Sequence, residues 1–261
     1  KRLYSSAWAC SGVLVGDLNG DALPDLFFPS TTSPNKLYLN RGDWRFEEVG
    51  TRSGITGGGA FSVGGSLADI DADGDLDIYV CNYNSPNQLF LNQGPTANQE
   101  LHFIESAAAS NLALTDASLT SSFCDYDRDG DLDLFVLCNR LYREGGLPAD
   151  GSYEIVNDRP VIKSGLDEYY GIEVIEGKET AITIGRHDRL YRNDSSEGKL
   201  QFSEVTSQAG LDKRGYGLSA TWWDYNADGW PDLYVANDYR YPDHLWENNG
   251  DGTFTDVAKD T

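Results

Sequence analysis

The sequence predicts an all-β fold, a β-propeller built from four-stranded antiparallel blades, with five blade repeats along the chain. Three observations predict it. A nine-residue acidic frame recurs four times in one register. A short apolar run follows each frame. A segment of the form x-Leu-aromatic returns at a steady interval, its aromatic residue at Tyr38, Phe90, Tyr142, Tyr191 and Trp246, spaced 52, 52, 49 and 55 residues apart. Repeats of this length that each supply four short strands stack as propeller blades.

The acidic frame is clearest at Asp69-Ile70-Asp71-Ala72-Asp73-Gly74-Asp75-Leu76-Asp77. Carboxylates fall at positions 1, 3, 5 and 9. The same frame recurs at Asp125, Asp127, Asp129 and Asp133, at Asp17, Asn19, Asp21 and Asp25, and at Asp224, Asn226, Asp228 and Asp232. Four oxygen side chains in nine residues repel one another unless a cation sits among them. Hard oxygen ligands in that number suit Ca²⁺, whereas Mg²⁺ keeps most of its waters. Position 7 (Leu23, Asp75, Asp131, Trp230) varies in chemistry, as expected of a residue that offers only its backbone carbonyl. The loop is not an EF-hand, which needs a bidentate Glu at position 12. That position holds Phe28, Val80, Val136 and Val235.

Within a repeat, the loop joins a first strand to a second, such as Ile78-Tyr79-Val80 or Leu134-Phe135-Val136. Continuous apolar runs of this kind mark strands buried on both faces. The third strand reads x-Leu-aromatic-x-Asn at Lys36–Asn40, Gln88–Asn92 and His244–Asn248. The fourth is more polar, as in Phe46-Glu47-Glu48-Val49, and suits an outer edge half in water. The acidic loops start at 17, 69, 125 and 224, and the last gap is nearly double the others. A loop-less fourth repeat is therefore expected inside it, with strands at Tyr170–Ile175 and Thr180–Ile184 and a short turn at Glu176–Glu179. The expected blades are approximately 1–55, 56–110, 111–167, 168–213 and 214–261. Four Ca²⁺ sites are expected, none in the fourth repeat.

Composition narrows the function. The 261 residues carry a formal charge of −22, and four Ca²⁺ ions would still leave the chain strongly acidic. Nucleic acid and anionic membranes are thereby disfavoured as partners. No apolar run is long enough to span a bilayer as a helix. The chain contains no methionine, so it is expected to be a processed protein or part of a longer one. Cys10, Cys81, Cys124 and Cys138 form no CxxC pair. A zinc site is disfavoured, two disulfides are permitted, and buried free thiols are the favoured reading.

The frames and the stretches Asp228-Gly229-Trp230-Pro231-Asp232-Leu233-Tyr234 and Asn248-Asn249-Gly250-Asp251-Gly252-Thr253-Phe254 resemble the FG-GAP (VCBS) repeat family of calcium-loop propellers. Within it they are similar to the secreted CRTAC/UnbV-like branch. The resemblance implies an extracellular setting, secreted or cell-surface. It also implies propellers that commonly have seven blades, so five repeats are either a complete ring or part of a larger one.

The remaining motifs are weaker. Arg41-Gly42-Asp43 falls on a turn, and turn chemistry accounts for it. Asn193-Asp194-Ser195 is a glycosylation sequon, expected to be exposed. His102, His187 and His244 share no motif, and no nucleophile or metalloprotease signature occurs. No catalytic residue is assigned. Trp222 and Trp223 read as packing, and Tyr239-Arg240-Tyr241 as a loop able to stack on a sugar or a partner. The expected function is a binding, adhesion or assembly module with a protein or glycan ligand, including self-assembly into a larger extracellular structure. The alternative is the propeller portion of a secreted carbohydrate-active enzyme or oxidoreductase.

Overall fold

The computed structural model describes residues 12–96, 100–196 and 198–258, and these form antiparallel sheets without an α-helix. The first blade is β1 (Leu14–Gly16), β2 (Asp25–Phe28), β3 (Lys36–Asn40) and β4 (Phe46–Glu48), hydrogen-bonded in that order. The second is β5 (Ser62–Ala68), β6 (Asp77–Pro86), β7 (Gln88–Pro95) and β8 (Leu101–Glu105). A third opens with β9 (Thr115–Cys124) and β10 (Asp133–Cys138). The end of β6 also pairs with the start of β9, Tyr83 opposite Ala117, and so fuses the second and third blades into one curled sheet.

After β10 the chain leaves the sheet. It forms the hairpins β11 (Tyr153–Val156) with β12 (Arg159–Ile162) and β13 (Tyr170–Ile175) with β14 (Lys178–Thr183), then the short β15 (Arg186–His187). It returns as β16 (Arg189–Asn193) and β17 (Phe202–Glu204), which complete the third blade beside β10. The short β18 (Arg214–Gly215) pairs with β15. The last blade is β19 (Gly217–Trp223), β20 (Asp232–Asn237), β21 (His244–Asn248) and β22 (Phe254–Asp256).

The described strands thus form four blades where the sequence suggested five. The stretches expected as blades 111–167 and 168–213 are one blade interrupted by an excursion of about fifty residues, 139–188. Both strands expected at 170–184 exist, but they pair only with each other. The reason is local. Arg140-Leu141-Tyr142 copies the x-Leu-aromatic motif but lacks the Asn two residues on, whereas Arg189-Leu190-Tyr191-Arg192-Asn193 has it. A second repeated device agrees. The residue before each third strand accepts an N–H from the second strand or just beyond it: Asn35 from Ser30 at 2.9 Å, Asn87 from Asn82 inside the long β6 at 2.8 Å, Asp188 from Cys138 at 2.7 Å and Asp243 from Asn237 at 2.8 Å. The excursion is fastened by Arg186 to the buried Asp116, which Arg189 of β16 also meets, and by Arg140 lying over the rings of Tyr142 and Tyr216 at 5.0 and 4.7 Å.

The blades stack face to face through three apolar layers. Phe27, Leu37 and Leu39 of the first meet Ile78, Val80 and Phe90 of the second. Tyr79 and Leu89 of the second meet Leu134, Val136 and Tyr191 of the third. Phe135 and Leu190 of the third meet Leu233, Val235 and Trp246 of the fourth. The first strands lie innermost and approach so closely that a Cβ on Gly64 would stand 2.2 Å from the Leu119 carbonyl oxygen. Cys81 and Cys138 are buried free thiols in the second layer, and Cys124 is a half-buried one. Cys10 lies outside the described residues.

Asp188 gives this packing a pH signature. Burial pushes its carboxyl up from 3.8 to about 7, against the pull of the Cys138 N–H and the Arg189 guanidinium. Between those two values the unfolded chain has already released the proton that the folded chain keeps. Stability therefore falls as pH rises through that window and levels off above about 7. The first two blades use Asn at this position. Asp188→Asn keeps the acceptor and removes the charge, so it should stabilise the fold by an amount that grows between pH 4 and 7, to at most a few kcal/mol. Urea unfolding across that range measures it, and a difference independent of pH would contradict the argument.

Candidate metal centres

The four acidic loops fold alike because each places two residues in the left-handed region. Positions 4 and 6 have φ of 74° and 66° in the first loop (Gly20, Ala22), 59° and 98° in the second (Ala72, Gly74), 60° and 103° in the third (Arg128, Gly130) and 61° and 93° in the fourth (Ala227, Gly229). The values above 90° lie beyond the range that side chains tolerate, so those three positions are glycine. The first loop has the milder angle and carries Ala22.

This curl aims backbone N–H groups at the carboxylates. In the first, second and fourth loops the position 1 acid accepts from positions 5 and 6: Asp17 from Asp21 and Ala22 at 3.1 and 2.7 Å, Asp69 from Asp73 and Gly74, both at 3.0 Å, and Asp224 from Asp228 and Gly229 at 3.1 and 2.9 Å. The position 5 acid accepts from position 7 in all four loops. The position 9 acid, buried in every blade, accepts one N–H on each oxygen. Asp77 takes Ile70 and Asn92, both at 2.8 Å. Asp25 takes Leu18 and Asn40, Asp133 takes Tyr126 and Asn193, and Asp232 takes Tyr225 and Asn248.

Two loops gather three carboxylates whose oxygens lie within 4.8 Å of one another: Asp69, Asp71 and Asp77, and Asp125, Asp127 and Asp133. Each of these groups could hold a metal ion. In the first and fourth loops the amide at position 3 turns its nitrogen to the position 5 acid, Asn19 to Asp21 at 3.0 Å and Asn226 to Asp228 at 2.9 Å. The electrostatics are strained in one direction. Burial and neighbouring acids push Asp77 up to about 7 and Asp133 up to about 8, and raise Asp71 and Asp127. In the third loop single oxygens of Asp125, Asp127 and Asp131 are buried without a hydrogen-bond partner.

The acids at position 5, Asp21, Asp73, Asp129 and Asp228, cap their own loops and lie outside the three-acid groups. At position 7 Leu23, Asp75 and Trp230 are all half-buried, and the Asp75 carboxylate lies over Gly94. Asp131 departs from the expectation that this position offers only its carbonyl, because its carboxylate turns in beside Asp129.

The Asn at the fifth position of each third strand, Asn40, Asn92, Asn193 and Asn248, is a site residue whose role the motif alone did not disclose. Its side-chain amide donates to the position 8 carbonyl of its own loop. In two blades it also donates to the preceding blade's loop: Asn92 to Leu18 at 2.9 Å and Asn248 to Tyr126 at 2.9 Å. Neighbouring acidic loops are thus bolted together. Arg128 over Trp230 at 5.3 Å joins the third and fourth again. Between those two blades lies a polar cleft of 750 Å³, with Asp127, Arg192, Glu204, Gln208 and Asp251 on its walls.

The weaker motifs resolve into structure. Arg41 is held by Glu47, while Asp43 is exposed beside Arg45 on a turn tipped by Trp44. Asn193, expected to be exposed, is buried and donates to Leu132, so a glycan would have to displace that bond. His187 and His244 pair with Asp212 and Asp256, each at 2.7 Å, and His102 faces solvent. Trp222 packs in the third layer and donates to Ser122, whereas Trp223 is exposed. Tyr239 is exposed, and Tyr241 packs on Tyr216 at 4.8 Å.

A model of the FG-GAP-like repeat matches residues 17–80, 69–136 and 224–261, more than half of the chain and all four acidic loops. The chain belongs to the FG-GAP-like repeat family. These repeats imply a β-propeller, in agreement with the sheets above. Cartilage acidic protein 1 of Xenopus tropicalis is 29% identical over 142 residues, which is 51% of this chain and 22% of that protein. The Homo sapiens protein of the same name is 29% identical over 140 residues, 51% of this chain and 21% of its own length. The chain thus spans about a fifth of these relatives. A solved structure concerning recognition of non-reducing terminal N-acetylglucosamine by an Agrocybe aegerita lectin aligns with 94% of this chain and 65% of its own. Its 15% identity and TM-score of 0.35 carry no argument about fold or ligand.

The FG-GAP loops depend on the bolting amide. Asn92 is fully buried and serves two carbonyls, whereas Asn40 is half-buried and serves only that of Pro24. Asn92→Ala should cost about 1–3 kcal/mol, the penalty for orphaned buried acceptors, and Asn40→Ala clearly less. Chemical denaturation of the two variants provides the comparison.

Proposed function

We propose that this chain is a calcium-stabilised propeller module that works outside the cell as a binding surface for a protein or glycan ligand. The observation that carries the reading is the third loop, where oxygens of three acids are buried with no partner and a fourth acid is pushed up by burial. Hard oxygen donors, with no nitrogen or sulfur among them, match Ca²⁺. Asp69, Asp71, Asp77 and Asp125, Asp127, Asp133 would hold an ion in the second and third blades, with Asp131 adding an oxygen in the third. Asp17, Asn19, Asp25 and Asp224, Asn226, Asp232 would do so in the first and fourth once each amide turns its oxygen inward. That reorientation costs the bonds to Asp21 and Asp228, so these two sites are the weaker pair.

Extracellular modules bind Ca²⁺ at roughly 10⁻⁴–10⁻³ M, and sites of that strength would fill only where calcium is abundant. The names of the cartilage relatives support the same setting, and among the described residues no helix is long and apolar enough to cross a membrane. The polar cleft beside Asp127 is the place we assign to the ligand. It offers a guanidinium, amides and carboxylates over a rim that the ions would stiffen, and a rigid frame with polar loops suits recognition rather than turnover.

Chelation should lower the melting temperature. A site at 100 times its dissociation constant contributes about 2.7 kcal/mol, worth about 2–4 °C per kcal/mol in a chain of this size. In calorimetric titration Asp71→Ala and Asp127→Ala should each remove one ion, whereas Asp75→Ala should leave the number unchanged. A melting temperature indifferent to chelator would refute a structural role for calcium.

A further inference from the structure

We infer that the four acidic loops take up Ca²⁺ as two coupled pairs, the first loop with the second and the third with the fourth, and that Asn92 and Asn248 are the residues that couple them. The inference rests on the calcium reading above and adds to it which loops depend on which.

The loops of a pair meet through the residue at position 2 of the earlier loop. In the first loop this is Leu18, between Asp17 and Asn19. Its N–H donates to Asp25 at 2.9 Å, and its carbonyl accepts the Asn92 amide at 2.9 Å. The same amide donates to Leu76 at 3.1 Å, and the Asn92 backbone N–H donates to Asp77 at 2.8 Å. A run of hydrogen bonds thus leads from the position 9 acid of one loop to that of the next. The third and fourth loops repeat it. Tyr126 donates to Asp133 at 3.1 Å and accepts the Asn248 amide at 2.9 Å. Asn248 in turn donates to Pro231 at 3.1 Å and to Asp232 at 2.8 Å. Leu18, Tyr126, Asn92 and Asn248 are at most 3% exposed, so none can exchange its partner for water without cost.

Between the second and third loops the run is broken. Asn193 holds the equivalent place, yet its amide donates to Leu132 of its own loop and, among the described residues, to nothing at Ile70, the position 2 residue of the second loop. Those two blades fuse instead at the end of β6 remote from its loop, Tyr83 opposite Ala117. Each pair also joins a ready loop to an unready one. The second and third loops already gather three acids, whereas the Asn19 and Asn226 amides turn their nitrogens to Asp21 and Asp228. Order in the second loop reaches Leu18, next to Asn19, and order in the third reaches Pro231 and Asp232 of the fourth. Ordering already supplied by one loop need not be supplied again by its partner, so filling the ready loop raises the affinity of the unready one, and the reverse holds by linkage. Repulsion between two cations has the opposite sign and would make each bound ion weaken its neighbour. The sign of the coupling therefore separates the amide link from charge alone.

A Ca²⁺ titration followed by NMR on the ¹⁵N-glycine-labelled 261-residue chain tests it, because Gly20, Gly74, Gly130 and Gly229 place one amide reporter in each loop. Asp71→Ala, which empties the second loop, should move the Gly20 midpoint to Ca²⁺ concentrations higher by about fivefold or more and leave Gly130 and Gly229 in place. Asp127→Ala should move Gly229 in the same way and leave Gly20 and Gly74 in place. In an Asn92→Ala background Asp71→Ala should no longer move Gly20, while the third and fourth loops stay coupled. Asn248→Ala should uncouple only those two. Unchanged dispersion of the other glycine amides certifies each fold, and the two aspartate variants decide the pairing even where an asparagine variant fails to fold. A Gly20 midpoint that ignores Asp71→Ala, or moves to lower Ca²⁺, overturns the inference and leaves the calcium reading standing. So does an equal shift in all three remaining loops. Loop glycines that do not respond to Ca²⁺ at all overturn the calcium reading and the pairing together.

Discussion

The structure depends on one buried carboxylate per blade. Asp25, Asp77, Asp133 and Asp232 each receive two backbone N–H bonds, one from the acidic loop and one from the end of the third strand. Without that acceptor, two buried donors per blade would be orphaned at about 1–3 kcal/mol each. The same carboxylate therefore closes the loop and ties it to the sheet, and in the second and third blades Asp77 and Asp133 also stand with the acids at positions 1 and 3 in a group that could hold a metal ion. In those two blades the latch and the candidate cation site share a residue, so the blade cannot keep the one without keeping an acid in the other.

That sharing has an electrostatic cost. Two N–H bonds favour the ionised form of Asp77 and Asp133, but burial and neighbouring acids outweigh them and hold both well above the ordinary range. A nearby divalent charge acts in the opposite sense to both causes. Backbone capping within the loop thus prepares the shape of a site, while the charge it concentrates is what a cation would relieve. The amides of Asn92 and Asn248 extend the preparation sideways, since each holds the loops of two blades in one network. Strain or order in one loop is then felt by the next.

The legible parts of this fold were those whose physics is local. Carboxylates at alternating positions, followed by Leu-Phe-Val or Ile-Tyr-Val, announce a tight turn into a strand buried on both faces, and those stand where the sequence put them. Leu141 and Tyr142 misled because an x-Leu-aromatic triplet says only that a segment has one apolar face. The fact that decides membership of a blade is Asn193 reaching Asp133 and Leu132 across sixty residues, and a motif cut to three positions omits it. Asp188 carries the same lesson, as its equivalence to Asn35 and Asn87 appears only when each is seen to cap the second strand. The inward turn of Asp131 was likewise beyond reach, since its backbone position is shared with Leu23 and Trp230.

Burial on both faces is also what separates inner blades from end blades. The strand Asp133–Cys138 is buried along its whole length, whereas Asp25–Phe28 is buried in alternation and Tyr234 and Ala236 of Asp232–Asn237 are only half-buried beside the buried Leu233 and Val235. Yet Leu26-Phe27-Phe28 is as apolar as Leu134-Phe135-Val136. A strand meant to meet water on one side would alternate in its residues as well as in its burial. The first blade alternates only in burial, so its composition is that of an inner blade. The apolar sequence of an end strand thus records a neighbour that four blades alone do not provide.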